Sequence, residues 1–189
     1  MSEPLRVLFV CTANICRSPA MELIARDLAR SADVVFTSAG THGRNGLQMT
    51  TEMVATLAPG VSDTSGSFRS RHLTAELLGG ADLVLTAEQV HRQHILDDFP
   101  QLHRQVFTLG QFAAAVAELP GLTGRDLVSA AWQRRTPATP DQDVADPYRR
   151  GKAAAVRATG TITDMLSVIV PRLTASSAGN DSSAPDLEG

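Results

Sequence analysis

The sequence predicts an α/β protein, a three-layer α/β/α fold around a small parallel sheet of about four strands. Short apolar runs rich in β-branched residues alternate along the chain with helix-length segments, as expected for strands that are covered on both faces. Strand–helix alternation favours parallel pairing through right-handed crossovers. The predicted strands are Leu5–Val10, Val34–Thr37, Ala81–Thr86 and Val106–Leu109.

Seven segments with apolar residues at helical spacing separate or follow these strands. The last of them places Ile162, Leu166 and Ile169 on one face with Met165 beside them, which predicts a core-facing helix. The predicted helices are Pro19–Arg30, Leu47–Leu57, Leu73–Leu78, Ala87–Asp97, Gln111–Leu119, Gly124–Arg134 and Arg149–Leu173.

The length of 189 residues fits one domain, expected over residues 1–173, followed by a tail. Residues 174–189 are rich in Ser, Ala, Gly and Asp and nearly free of apolar side chains, which predicts disorder. Residues 134–146 carry Pro137 and Pro140 among few apolar residues, which predicts an exposed loop.

Charge and cysteine content exclude several classes of protein. The net charge of −3, without a long basic patch, argues against a nucleic-acid-binding surface. Two cysteines do not make a disulfide scaffold and fit the reducing cytoplasm. No secretory signal is evident, and no stretch is expected to be long enough to span a membrane.

The residues after the first predicted strand predict an anion pocket. A tight loop, Thr12 to Cys16, leads from that strand into a helix, so backbone N–H groups and the helix dipole point at a bound oxyanion. Arg17 supplies a planar fork that matches two phosphate oxygens. Cys11 at the mouth of such a pocket is a thiolate nucleophile aimed at phosphorus, the alternative being a small buried core residue.

The start of the following helix supports this interpretation. Ser18 is of the helix N-cap type, and its hydroxyl is also within reach of the Cys11 sulfur. Pro19 suits the first helical position, where a missing N–H costs nothing.

A second candidate group lies in the loop before Pro147 and Tyr148. Attack on a phosphate ester releases an alkoxide or phenoxide that needs a proton, and a carboxylic acid on a loop over the pocket can supply it. Asp146 is the best candidate, because Pro147 restricts its backbone and Tyr148 offers a ring to line the cleft. Asp141 and Asp143 are interpreted as solvated loop acids.

The run Val10-Cys11-Thr12-Ala13-Asn14-Ile15-Cys16-Arg17-Ser18-Pro19, with Asp146-Pro147-Tyr148 late in the chain, resembles the low-molecular-weight protein tyrosine phosphatases. The segments Ser38-Ala39-Gly40-Thr41 and Ser70-Arg71-His72-Leu73 also resemble that family, and the resemblance covers about residues 4 to 172. It implies hydrolysis of phosphotyrosine or aryl phosphate monoesters through a cysteinyl-phosphate intermediate, without metal or cofactor. It also implies tyrosine-phosphorylated proteins as partners, tyrosine kinases among them, and a monomer or weak dimer.

The resemblance assigns roles to individual residues. It makes Cys11 the nucleophile, Arg17 the phosphate clamp and Asp146 the general acid. Asn14 would hold the loop with Ser38 as its partner, and Ser18 would stabilise the thiolate. The phosphate-binding loop would consist of Thr12, Ala13, Asn14, Ile15, Cys16, Arg17 and Ser18.

Departures from the family pattern bear on substrate choice. Ala13 stands where the family usually has glycine, which suits unusual backbone angles. Residues 42–46 offer no Phe, Tyr or Trp for the cleft, and Arg149 follows Tyr148 where an aromatic residue is common. With Arg44 and Tyr148 as cleft residues, we expect a preference for acidic phosphopeptides or a relaxed preference for the aryl group. Residues 113–140 look longer than the family norm and predict added helix beside the site.

Three points stay open at this stage. Cys16 is either the partner of Cys11 in a reversible protective disulfide, as the family implies, or a packed thiol. His91 and His94 could begin a metal site, but a hydrated helix face is favoured. An arsenate reductase using an external thiol and a non-catalytic phosphate-binding module remain alternative functions.

Overall fold

The computed structural model describes residues 3–29 and 33–175. Its centre is one parallel sheet of four strands in the order β2-β1-β3-β4. All four predicted strands are confirmed, and their observed bounds are β1 Leu5–Cys11, β2 Val34–Gly40, β3 Leu83–Thr86 and β4 Val106–Thr108. β1 pairs with β2 from Leu5 opposite Val34 to Cys11 opposite Gly40, so Cys11 lies at the carboxyl edge.

Eight α-helices are present in the described part of the chain, with 3₁₀ turns at Pro100–Arg104 and Pro140–Gln142. The seven predicted helices all have counterparts. The helices are α1 Arg17–Leu28, α2 Thr51–Val54, α3 Pro59–Ser65, α4 Ala75–Gly79, α5 Gln89–Asp98, α6 Leu109–Ala117, α7 Gly124–Gln133 and α8 Gly151–Thr174.

The predicted helix Leu47–Leu57 is much shorter than expected, and α3 was not predicted. Tertiary contacts explain the late start of α2, because the Leu47 N–H donates to Ser70 Oγ and the Thr50 N–H donates to the Ile15 carbonyl. These donors are therefore held by neighbouring loops outside the helix. Pro59 stands in the first turn of α3, a start signal that the apolar periodicity did not reveal.

Side-chain alternation along β1 divides the core into two layers. Phe9 and Cys11 belong to the larger cluster, which includes side chains of α1, α6 and α8. Leu8 and Val10 point to the opposite face and pack with Ile95 of α5. The three-layer prediction is therefore confirmed, and the Cys11 side chain lies on the face that α1 covers.

The final helix packs as its sequence predicts. Ile162, Leu166 and Ile169 are buried, and Met165 is partly buried against the same cluster. By length and composition α8 could cross a membrane, which the sequence analysis did not expect. Its apolar side chains pack instead against other helices, mainly α1 and α6. Of the tail predicted for residues 174–189, residues 176–189 lie outside the described residues.

Candidate active site

The loop between β1 and α1 wraps around the carboxyl end of the sheet. Backbone bonds fix it to the strand beside it, since Thr41 N–H donates to the Cys11 carbonyl and His42 N–H donates to the Thr12 carbonyl. Gly40 makes this close approach possible, because a Cβ there would lie 2.7 Å from the Thr12 carbonyl oxygen. The sequence indicated only a glycine-rich turn containing Gly40, Gly43 and Gly46, whereas Gly40 is the last residue of β2.

The Cys11 thiol is buried at the start of this loop. Its Sγ lies 3.0 Å from Ser18 Oγ, and that hydroxyl lies 3.2 Å from the Ala39 carbonyl oxygen. A hydroxyl in this position accepts a hydrogen bond from a thiol and donates one to a thiolate. The N-cap prediction for Ser18 is wrong, because α1 begins at Arg17 with Cys16 as the N-cap residue, which also places Pro19 beyond the first helical position.

Asn14 is the internal support of the loop. It is fully buried and has a left-handed backbone with φ of 56°, a conformation that Asn tolerates better than most residues. Its Nδ2 donates to Ser18 Oγ and to Ser38 Oγ, both at 2.8 Å, and its Oδ1 accepts from the Arg71 N–H at 2.8 Å. The left-handed residue of the loop is thus Asn14. Ala13 has no positive φ, so the concern about alanine at that position does not apply.

A chain of polar contacts stands behind Asn14, in which Ser38 and Glu22 are buried and the Arg26 side chain is about half exposed. Ser38 Oγ donates to Glu22 Oε2 at 2.5 Å, and Glu22 Oε1 pairs with Arg26 Nη2 at 2.6 Å. Burial raises the pKa of Glu22, while the bond from Ser38 and the charge of Arg26 act in the opposite direction. The chain connects the loop to α1 and holds the Ser38 hydroxyl in place.

Arg17 lies under the loop with 2% of its surface exposed. Its Nη1 donates to Glu88 Oε2 at 2.5 Å and to the Val144 carbonyl at 2.9 Å, and its Nη2 lies 3.3 Å from Asp146 Oδ1. Its Nε is buried without a hydrogen-bond partner among the described residues. With Nη1 occupied, the edge formed by Nε and Nη2 is the one that can bind two oxygens of an oxyanion.

The segment that carries Asp146 is fastened to the end of β3. The Val144 N–H donates to the Ala87 carbonyl at 2.8 Å, and the Gln89 N–H donates to Asp143 Oδ1 at 3.0 Å. Asp143 is therefore partly buried and bonded, not the solvated acid that was predicted, and burial raises its pKa. Asp141 is exposed as expected. The Asp146 side chain is 42% exposed beside Arg17.

Sequence reasoning missed two further members of the site, Glu88 and His91. His91 was placed on a hydrated helix face, but it is 3% exposed. Its Nδ1 accepts from the Glu88 N–H at 3.2 Å, so Nε2 carries the proton and donates to Thr12 Oγ1 at 2.8 Å. Burial, followed by the charge of Arg17, lowers the pKa of His91 to about 4. Glu88 is the N-cap residue of α5 and His91 caps its backbone N–H, but this pair lies outside the Ser/Thr-x-x-Glu/Gln pattern by which sequence signals a capping box.

The Cys16 side chain contacts Thr50, the residue before α2. It is a free, buried thiol whose Sγ lies 3.4 Å from Thr50 Oγ1. Burial raises the pKa of Cys16 to about 11. A thiol of this kind is protonated at neutral pH.

The remaining cleft residues lie at the rim. Tyr148 is 44% exposed, and the Arg149 guanidinium lies 5.1 Å from its ring centroid. Arg44 is exposed. The His42 and His94 rings lie 5.3 Å apart, in the region where the sequence offers no Phe, Tyr or Trp. Within residues 3–29 and 33–175, no group of three or more His, Cys, Asp or Glu is arranged to hold a metal ion.

Comparison with known proteins agrees with this geometry. The probable low molecular weight protein-tyrosine-phosphatase EpsP of Ralstonia nicotianae is 28% identical over 169 residues, 89% of this chain and 96% of that protein. The protein-arginine-phosphatase of Bacillus subtilis is 33% identical over 108 residues, 56% of this chain and 71% of that protein. The solved structure of the YwlE arginine phosphatase from Geobacillus stearothermophilus superposes with a TM-score of 0.68 at 24% identity, covering 90% of this chain and 93% of that one, and shows the fold.

The family model described as low molecular weight phosphotyrosine protein phosphatase matches residues 6–121, more than half of the chain. This stretch contains the loop from Cys11 to Ser18, the Ser38–Asn14 support and the Glu88–His91 pair. The chain therefore belongs to the low molecular weight phosphotyrosine protein phosphatase family.

Proposed function

We propose that this protein hydrolyses phosphotyrosine in proteins, and aryl phosphate monoesters generally, through a cysteinyl-phosphate intermediate. The observation that carries the proposal is the arrangement around one loop. The Cys11 thiol bonds to Ser18, and the Arg17 side chain presents its Nε and Nη2 edge with Asp146 beside it. These are the three groups that the reaction needs: a nucleophile, an oxyanion clamp and an acid.

In the first step the Cys11 thiolate attacks phosphorus, the S–P bond forms and the P–O bond to tyrosine breaks. The Ser18 hydroxyl, whose Oγ lies 3.0 Å from Sγ, stabilises the thiolate by turning its one proton from the Ala39 carbonyl to the sulfur. The backbone N–H groups of the loop and Arg17 bind the phosphoryl oxygens and stabilise the negative charge on them in the transition state. Asp146, in its acid form, protonates the departing phenolate.

In the second step water attacks the cysteinyl phosphate. Asp146, now a carboxylate, accepts the proton from this water, the P–S bond breaks, and inorganic phosphate and the Cys11 thiolate are released. The segment that carries Asp146 is attached to the end of β3 through Val144 and Asp143. This attachment supports the roles of Asp146 as acid and as base, because it keeps Asp146 near the loop in both steps.

The exposed rim supports the expectation about substrates. Tyr148 offers one aromatic face, while Arg149 and Arg44 add positive charge around the entrance. We propose tyrosine-phosphorylated proteins with acidic neighbours, tyrosine kinases among them, as substrates in the cytoplasm, with the enzyme acting as a monomer or weak dimer.

The test compares hydrolysis of an aryl phosphate by the parent protein and by three variants. Cys11→Ser is expected to abolish turnover, and Asp146→Asn is expected to lower kcat by about 10² to 10⁴. Asp141→Asn is the matched control, because Asp141 is an exposed acid of the same segment, and it should retain full activity. Equal losses in Asp146→Asn and Asp141→Asn would remove Asp146 from its proposed role.

A phosphotyrosine peptide and a phosphoarginine peptide of the same sequence then decide the substrate class, since phosphatases of both kinds are among the relatives. The proposal requires a higher kcat/KM for phosphotyrosine. Phosphate binding without turnover would support the non-catalytic module, and arsenate reduction driven by an external thiol would support the reductase. The family membership favours neither of these alternatives.

A further inference from the structure

A cavity whose lining includes no residue of the Cys11 loop lies beside the first turn of α5. Its volume is about 700 Å³, and it is bounded by α5, by α6 and by the segment that follows α7. Its lining residues after α7 lie beyond the stretch matched by the family model, in the region that looked unusually long. The lining residues are Gln89, Val90, Arg92, Gln93, Gln111, Arg135, Thr136, Pro137 and Ala138.

Two arginine side chains meet at this cavity. Arg92 Nε and Arg135 Nη2 both donate to the same acceptor, the Val106 carbonyl, at 3.2 and 2.8 Å. Within the described residues neither arginine forms an ion pair with a carboxylate, and the terminal nitrogens of Arg92 have no hydrogen-bond partner. Burial lowers the pKa of both, and the charge of Arg92 lowers that of Arg135 further, to about 10. An anion between them would relieve this repulsion.

Arg135 is held rigidly. Its guanidinium carbon lies 3.8 Å from the Phe107 ring centroid and 5.0 Å from that of Trp132, and its Nη1 donates to the His103 carbonyl at 2.5 Å. Its Nε is buried without a partner among the described residues. A side chain fixed in this way loses little conformational entropy when it binds a ligand.

Gln111 adds an acceptor to the same cavity. It is 2% exposed, and its Nε2 donates to the Thr136 carbonyl at 2.6 Å. Its Oε1 is buried and has no hydrogen-bond partner in the described part of the chain. A buried amide oxygen without a donor is costly, so a ligand that brings an O–H group gains from meeting it.

We infer that this cavity binds a phosphate group in its hydrogen-bearing form, separately from the Cys11 loop. The two guanidinium groups match its charged oxygens, and the P–O–H group matches Gln111 Oε1. Free inorganic phosphate keeps a P–O–H group at neutral pH, whereas the phosphate of a phosphorylated residue, with its second pKa of about 6, is mostly a dianion without one, so the ligand is the free ion. The site would join α5 to the segment that leads into the Asp146 loop, because Thr136 to Ala138 form one wall.

The test uses the fluorescence of Trp132, which is the one tryptophan of the chain and stacks near Arg135. Titration of the full chain with inorganic phosphate should change this fluorescence with saturation. Arg92→Gln should weaken that response at least tenfold and leave unchanged the inhibition of aryl phosphate hydrolysis by phosphate, which reports on the Cys11 loop. Arg104→Gln is the matched control, since Arg104 also lies near Trp132, at 5.8 Å, but does not line the cavity.

Two further titrations test whether the proton of the phosphate group contributes to binding. Sulfate carries no proton at neutral pH, so it should bind more weakly than phosphate to the parent and equally to Gln111→Leu. A phosphoserine peptide at pH 7.5, whose phosphate has mostly lost this proton, should also bind more weakly than inorganic phosphate, and equal or tighter binding overturns the inference. A fluorescence response that is absent, that survives Arg92→Gln, or that is equal for sulfate and phosphate in the parent overturns the inference.

Discussion

Replacing Asn14 tests the idea that one buried amide sets the shape of the catalytic loop. Asn14→Gly removes three hydrogen bonds and keeps the left-handed backbone comfortable. Ser18 and Ser38 keep other partners, so each of those two lost bonds costs about 1 kcal/mol. The Arg71 N–H is left without a partner, which costs about 2 kcal/mol. The expected loss of unfolding free energy is therefore about 4 kcal/mol.

Asn14→Ala loses the same bonds and in addition forces a residue with a Cβ into φ of 56°, which costs about 1 kcal/mol more. Thermal unfolding checks both values, because about 4 kcal/mol corresponds to a fall in Tm of roughly 8 to 16 °C in a domain of this size. Aryl phosphate turnover should fall in both variants. A Tm within about 2 °C of the parent, or a glycine variant less stable than the alanine variant, would refute the reasoning.

Three more predictions follow from the same region. The pKa of His91, about 4 in the folded protein and lower than its ordinary value, means that the unfolded chain binds the proton first as pH falls. Unfolding free energy should therefore drop between pH 6.5 and 4 by on the order of 3 kcal/mol, measured by denaturant titration, and His91→Gln should lack this drop. Cys16, with a pKa of about 11, should resist labelling by iodoacetamide at pH 7.5 in the Cys11→Ser variant. Mass spectrometry measures the labelling rate, and a rate equal to that of a free thiol would contradict the burial of Cys16. Glu88→Ala should lower kcat/KM about tenfold, because Arg17 Nη1 loses the acceptor that orients it. Glu88→Gln keeps an acceptor oxygen and should retain more activity. Equal losses in the two variants would show that the hydrogen bond to Glu88 does not orient Arg17.

Local sequence signals were sufficient for the fold and for the centre of the site. The four strands are short apolar runs with their own periodicity, and the Cys11 to Arg17 spacing is a property of one continuous loop. Elements that depend on distant partners were not predictable in the same way. The helix predicted from Leu47 begins at Thr51, because Ser70 and Ile15 bind the backbone groups before it.

The candidate site likewise contains residues placed by local sequence and residues placed by distant partners. Cys11, Ser18 and Arg17 are brought together by sequence proximity, and Asp146 was predicted mainly from the Asp-Pro-Tyr motif that resembles the family's. Glu88 and His91 escaped notice because their partners, Arg17 and Thr12, lie 71 and 79 residues away along the chain. Their roles depend on the crossover that places the end of β3 beside the end of β1.

By itself the sequence determined the alternation of strands and helices and the tight loop that carries Cys11, because these follow from contacts between near neighbours. Only the tertiary structure decided which atoms of Arg17 are already occupied, which residue of the loop takes the left-handed backbone, and which arginines remain unpaired beside Gln111. Those features depend on burial and on long-range packing, which set the free energy of each charge and each unsatisfied donor.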